Sequence, residues 1–99
     1  MNAAPAPAAP AMNNPPRAAD LERALRAALA PNLLEVIDES AAHAGHSGAN
    51  AVGYGTHFRV RIASAQFDGK PRVVRHRLVY DALQAFIAQG LHAIAIETL

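Results

Sequence analysis

Ninety-nine residues carrying a net charge of +1, with a pI near 8.3, fit one small domain and no more. The near-neutral balance excludes bulk attraction to polyanions, so any contact with nucleic acid must come from a local patch. The absence of cysteine excludes a disulfide framework and any site built on this chain's own thiolates.

About a quarter of the chain is alanine, so the 52% hydrophobic content overstates the core. No apolar run approaches the roughly 20 residues that a membrane span needs. The opening "MNAAPAPAAPAMNNPP" has neither a basic n-region nor a continuous apolar h-region. A cytoplasmic location is the expectation. Repeated Ala-Pro steps favour extended backbone and oppose helix. Residues 1–17 are therefore expected to form a disordered tail and 18–99 the domain.

"AADLERALRAALAP" predicts an amphipathic helix, with Leu21, Leu25, Ala28 and Leu29 on one face. Asp20 is the expected N-cap and Pro31 the stop. "NLLEVIDES" reads as a strand, and its pattern leaves open whether Leu34 and Val36 or Leu33 and Ile37 face the core. The stretch "ESAAHAGHSGANAVGYGTHF" follows, holding His43 and His46 among glycines and too few large apolar residues to pack on its own. "THFRVRIAS" is the clearest strand. Phe58, Val60 and Ile62 alternate with His57, Arg59 and Arg61, which predicts one buried face and one wet, basic face. "AQFDGK" is a turn. Pro71 opens a helix expected to run to Gln89, with Val79, Leu83, Phe86 and Ile87 as its apolar stripe and Gly90 ending it. "LHAIAIETL" is the last strand.

The order helix, strand, strand, helix, strand predicts an α+β domain. The long loop suits an antiparallel pair, and the helical crossover suits a parallel one. The result is a three-stranded mixed sheet with both helices on one face and the other face open.

Chemistry-bearing residues are sparse. No phosphate loop, nucleophile elbow or metalloprotease helix is present, and Asp38, Glu39 and Ser40 alternate rather than converge, so an enzyme is not expected. His43 and His46 are either solvated loop residues or metal ligands. His92, of the same parity as Ile94 and Ile96, is either a histidine at the rim of the core or a third candidate ligand. In "RHR", Arg75 and Arg77 diverge around the helix, while His76 shares a face with Tyr80. That stretch is a solvated face or a surface for phosphates or an acidic partner.

"LEVIDES" with its histidine loop, then "THFRVRIAS", "FDG", "RHRLVYDAL" and "LHAIAIETL", resemble the BolA family in order and spacing. The likeness covers residues 18–99. It implies an αββαβ fold similar to a type II KH domain. It further implies a heterodimer with a monothiol glutaredoxin that shares a [2Fe–2S] cluster. In that arrangement the glutaredoxin and glutathione supply thiolates and the BolA-like chain supplies histidine. By position His92 matches the family's C-terminal ligand, His43 is the closer match to the loop ligand, and His46 is an added candidate. The isolated chain is expected to be monomeric and to carry no cofactor. Arg75, His76, Arg77 and Tyr80 are expected to shape the partner surface near His92.

The alternative is a DNA-binding regulator using the RHR-bearing helix. Its turn "FDGK" has one glycine and an aspartate where a KH loop uses G-x-x-G, so only weak, salt-sensitive binding through Lys70, Arg72, Arg75 and Arg77 is expected. A third reading is a protein adaptor without metal, in which the histidines are dispensable.

Overall fold

A computed structural model describes residues 15–43 and 54–99 of the chain. The elements run α1 (Ala18–Leu29), β1 (Leu33–Asp38), β2 (His57–Ala63), α2 (Arg72–Ala82), α3 (Gln84–Ile87) and β3 (Ala93–Thr98). This is the expected α+β order, with the second helix divided in two.

α1 buries Leu21, Leu25 and Leu29, one turn apart, and each such leucine contributes about 1.5–3 kcal/mol. Its N-cap is Arg17 rather than Asp20. Asp20 sits three residues inside the helix and accepts from the Arg17 backbone N–H at 2.9 Å, as the return half of a capping box. At the other end Ser64 Oγ donates to the Leu29 carbonyl at 2.6 Å and Gln66 Nε2 to that of Ala28 at 3.2 Å. Two carbonyls that a helix end leaves without partners are satisfied in this way.

β2 is the central strand, antiparallel to β1 and parallel to β3. The register pairs Val36 with Val60 and Val60 with Ile96, which puts one apolar row on the helix side. Phe58, Val60 and Ile62 are buried there against Leu21, Leu25, Val79 and Leu83. The ambiguity in β1 resolves by this register. Leu34 and Val36 face the core, while Leu33 and Ile37, at 44% and 38% exposure, lie on the open side.

The long helix expected to reach Gln89 breaks at Leu83, whose φ of −105° and ψ of 10° leave the helical region. Leu83 N–H donates to the carbonyls of both Val79 and Tyr80, a tightened last turn. No proline or glycine marks the break, so the sequence carries no signal for it. Leu83 is fully buried at the bend and Phe86 packs on the core, but Ile87 leaves the apolar stripe and is exposed. Gly90 follows with φ of +109°, the left-handed conformation expected of a residue ending the helix.

The expected tail ends too late. Pro16 is fully buried. It lies against Gly55, whose φ of +82° and closeness to the Pro16 carbonyl, 2.7 Å from where a Cβ would stand, both require glycine. The Arg17 guanidinium sits 4.4 Å from the centroid of the Tyr54 ring, a cation–π contact. Residues 15–17 therefore belong to the folded domain and rest on the segment that leads into β2.

Candidate functional site

The histidine-rich loop leaves β1 through a short 3-10 turn, Ser40–His43. His43 ends this turn, and His46 lies outside the described residues. Two side chains tie the loop's two ends together. Asp38 Oδ1 accepts from Ser40 N–H at 2.8 Å and Oδ2 accepts from Gly55 N–H at 3.0 Å. Ser40 Oγ accepts from the N–H groups of Thr56 and His57 at 2.9 and 3.1 Å. Asp38 and Ser40 thus close the loop's base. The available signal was an aspartate two residues before a serine at a strand end, the pattern of an Asx turn.

β3 brings His92 to the same place. The N–H groups of His92 and Ala93 both donate to the Thr56 carbonyl, at 2.8 and 3.0 Å. His92 is exposed. Its ring lies 5.3 Å from that of His57, centroid to centroid, at an interplanar tilt of 50°. His57 departs from the expectation of a wet face, being only 8% exposed, and its Nδ1 shares a 2.9 Å hydrogen bond with the Thr56 hydroxyl. The strand's alternation placed its side chain on the open face, but the neighbouring His92 segment and the loop's foot close over that end. A strand read alone cannot show this. A shallow depression of about 230 Å³ opens beside the pair between Glu39, Arg59, Ala93 and Ala95.

The open sheet face is not basic. Arg59 pairs with Glu39 and Glu97, both at 2.9 Å, and Arg61 pairs with Glu35 at 3.1 Å and Glu97 at 3.3 Å. Three carboxylates therefore cover two guanidinium groups, through partners on β1, just after it and on β3 that the β2 sequence does not contain. The Arg59 hydrogen bond, helped by Arg61, holds the Glu97 carboxyl below its ordinary value of 4.5 against a partial desolvation. Glu39 raises Arg59 and Glu35 raises Arg61.

The sign follows from these directions. A lowered Glu97 favours the fold at neutral pH, and this contribution is lost as pH falls through its folded value, below 4.5. The raised arginines favour the fold across the acidic and neutral range, and this contribution is lost only as pH rises through their folded values in strong alkali. Glu97→Gln should thus lower the urea midpoint slightly at pH near 7 and by less at pH near 3, where the carboxylate is increasingly protonated. High salt should shrink the difference, since exposed pairs are screened. An equal loss at both pH values would mean that packing, not charge, is what Glu97 supplies.

The residues of α2 do not gather at His92. His76 and Arg72 line a separate depression of about 380 Å³ with Ile96, Thr98 and Leu99 at the far end of β3. Ile96 alone is roughly 13 Å along the strand from His92. α2 runs so that its end, not its start, lies near His92, and Tyr80 is the member that reaches across, its hydroxyl 3.4 Å from the Ile94 carbonyl. Arg75 turns back to donate from Nε to the Lys70 carbonyl at 2.7 Å. Lys70, Arg72 and Arg77 remain exposed. Among the described residues no group of three or more histidine, aspartate or glutamate side chains is gathered to hold a metal ion, and no helix is long and apolar enough to cross a membrane.

Comparison with known proteins matches residues 25–99 to the family model described as BolA-like protein. BolA-like protein 1 of Mus musculus is 42% identical over 84 residues, covering 81% of this chain and 58% of that protein. The DNA-binding transcriptional regulator BolA of Escherichia coli is 37% identical over 78 residues, 79% of this chain and 70% of that protein. Among solved structures, the BolA domain of SufE1 from Arabidopsis thaliana superposes with a TM-score of 0.73 at 44% identity, covering 83% of this chain and 88% of that one. This chain thus spans less than two thirds of the mouse relative, while matching nearly all of an excised domain. By the family model, by identity and by fold, the chain belongs to the BolA-like protein family.

Proposed function

We propose that this protein is an iron–sulfur adaptor that binds a monothiol glutaredoxin and contributes histidine to a [2Fe–2S] cluster shared with it and with glutathione. The observation that carries the reading is the exposed His92, hydrogen-bonded through Thr56 to the foot of a histidine-bearing loop. The donor set suits a shared group rather than a private one. Without cysteine, and without three gathered ligands among the described residues, this chain supplies neutral imidazoles to a centre that a partner completes. His92 is the first ligand in this reading, and His43 or His46 the second.

Histidine in place of thiolate lowers the negative charge of a cluster, raises its potential and makes ligation depend on pH. Such a centre suits transfer or sensing better than storage. The residues of this chain then act as a presenting surface. Thr56 and Ser40 hold the two ligand segments together, and Tyr80 and the depression beside Arg59 offer contact area near His92. The test is visible absorption and circular dichroism of a cluster-loaded glutaredoxin and glutathione mixture, with and without this chain. A changed spectrum supports the proposal, and an unchanged one with both proteins folded removes it.

A second reading has its own observation. Lys70, Arg72 and Arg77 are exposed on and before α2, the helix that the DNA-binding reading requires. Asp68 is exposed in the same turn and Arg75 is engaged by the Lys70 carbonyl, so the patch is small. With three cations free to meet phosphates, affinity in a gel shift should fall steeply between low and physiological salt and show no sequence preference. Sequence-selective binding that survives physiological salt would favour the regulator instead.

A further inference from the structure

One dipeptide joins the two segments on which the proposed site depends. On one side Ser40 Oγ accepts from Thr56 N–H and His57 N–H. On the other, the Thr56 carbonyl accepts from His92 N–H and Ala93 N–H. Thr56–His57 therefore sets the spacing between the loop's foot and His92 through backbone and side-chain bonds alike.

The side chains extend the same connection. Thr56, 2% exposed, holds His57 Nδ1 through its hydroxyl at 2.9 Å, which fixes the rotation of the His57 ring. That ring is itself buried and lies against the ring of exposed His92. A lone surface histidine samples several rotamers, and ordering it on ligation costs conformational entropy. A fixed ring beside it removes alternatives before any ligand arrives.

We propose that His57 is a positioning residue: locked by Thr56, it confines the imidazole of His92 to one rotamer. The consequence for the cluster rests on the reading of His92 given above, whereas the confinement itself is a property of the isolated chain. His57 was passed over in the sequence because it read as one more polar residue on an open sheet face. Its lock is the preceding residue, and its neighbour His92 lies 35 positions further along the chain.

The test is nuclear magnetic resonance of the isolated chain with labelled histidine. The readouts are the His57–His92 ring contacts and the side-chain couplings of His92 that report its χ1. The parent should show ring contacts and one rotamer. His57→Ala should show averaged couplings, and so should His57→Phe, whose ring has no nitrogen to bond the Thr56 hydroxyl. Thr56→Val keeps the shape but removes the hydroxyl, and should average His92 even if His57→Ala fails to fold. Amide shifts of β2 and β3 confirm that the sheet is retained. An averaged His92 in the parent, or an unaveraged one in both His57→Ala and Thr56→Val, overturns the proposal.

A second arm separates this from the cluster reading. With a cluster-loaded glutaredoxin and glutathione, His57→Ala should weaken the spectral response by about 10-fold or more, in the range seen when supporting residues around a metal are removed. His57→Phe, which loses the Thr56 bond, should weaken it as well. If the parent itself gives no response while the resonance data show one confined rotamer, the positioning stands and the ligand role of His92 falls.

Discussion

Replacing Ser40 by alanine should destabilise the domain by about 2–4 kcal/mol, because it leaves two buried backbone donors without their acceptor. Ser40 is 2% exposed, and its hydroxyl oxygen accepts from both Thr56 and His57. Each buried donor left unsatisfied costs about 1–3 kcal/mol, and two sharing one acceptor make this a larger effect than a typical serine loss. In a domain of this size that corresponds to a fall in Tm of about 10 °C or more. Urea unfolding measures the change, and hydrogen exchange of the Thr56 and His57 amides locates it. Exchange should accelerate at these amides more than at those of Val60 and Ile62, deeper in β2. A stability change under about 1 kcal/mol would mean that water replaces the hydroxyl and that the loop's foot is not tied as described.

The same substitution bears on function, since Ser40 opens the turn that ends at His43. Loosening it should reduce the cluster response without removing His92. Ser40→Thr keeps the oxygen and should recover much of both losses. Stability and ligand presentation are linked here because the loop's base and the edge of the core are the same few hydrogen bonds.

What could be read from the sequence follows the range of the forces involved. The alternation of Phe58, Val60 and Ile62 and the four-residue spacing of Leu21, Leu25 and Leu29 are local periodicities, and each appears in the structure on the expected face. The mixed sheet followed from loop length and a helical crossover, which chain geometry constrains strongly. The charge of the open face did not follow. Arg59 and Arg61 looked like a basic stripe because their partners, Glu35, Glu39 and Glu97, come from elsewhere in the chain. The break at Leu83 and the late end assigned to the tail have a similar origin, in packing that no single segment encodes.

The candidate site was partly legible. His92 stood out because it precedes the last strand, and the structure leaves it exposed beside the loop's foot. His57 and Thr56 were missed, since their importance lies in contacts across the sheet rather than in a motif. His76, expected near His92, lines a depression with Arg72 instead. They are turned to the opposite end of β3 by the direction of α2, which a helical wheel does not contain. Tyr80 of that group lies at the right end.

The proposed role of His92, a ligand presented to a partner-held cluster, is tested directly by His92→Ala, with little risk to the fold. The residue is exposed, and its backbone bond to the Thr56 carbonyl does not depend on the imidazole. Loss of one of the two proposed ligands should reduce the affinity for the cluster-bearing assembly by about 100-fold or abolish it. An outer supporting residue costs about 10–100-fold, and a direct ligand costs at least the upper end of that range. The measurement is a titration of cluster-loaded glutaredoxin and glutathione with parent and with His92→Ala, followed by visible circular dichroism, with urea unfolding of both chains as the control for folding. The parent should give a saturable spectral change and the variant none, at equal stability. An identical titration for the two proteins would contradict it, because the cluster would then bind without the histidine on which the site is built.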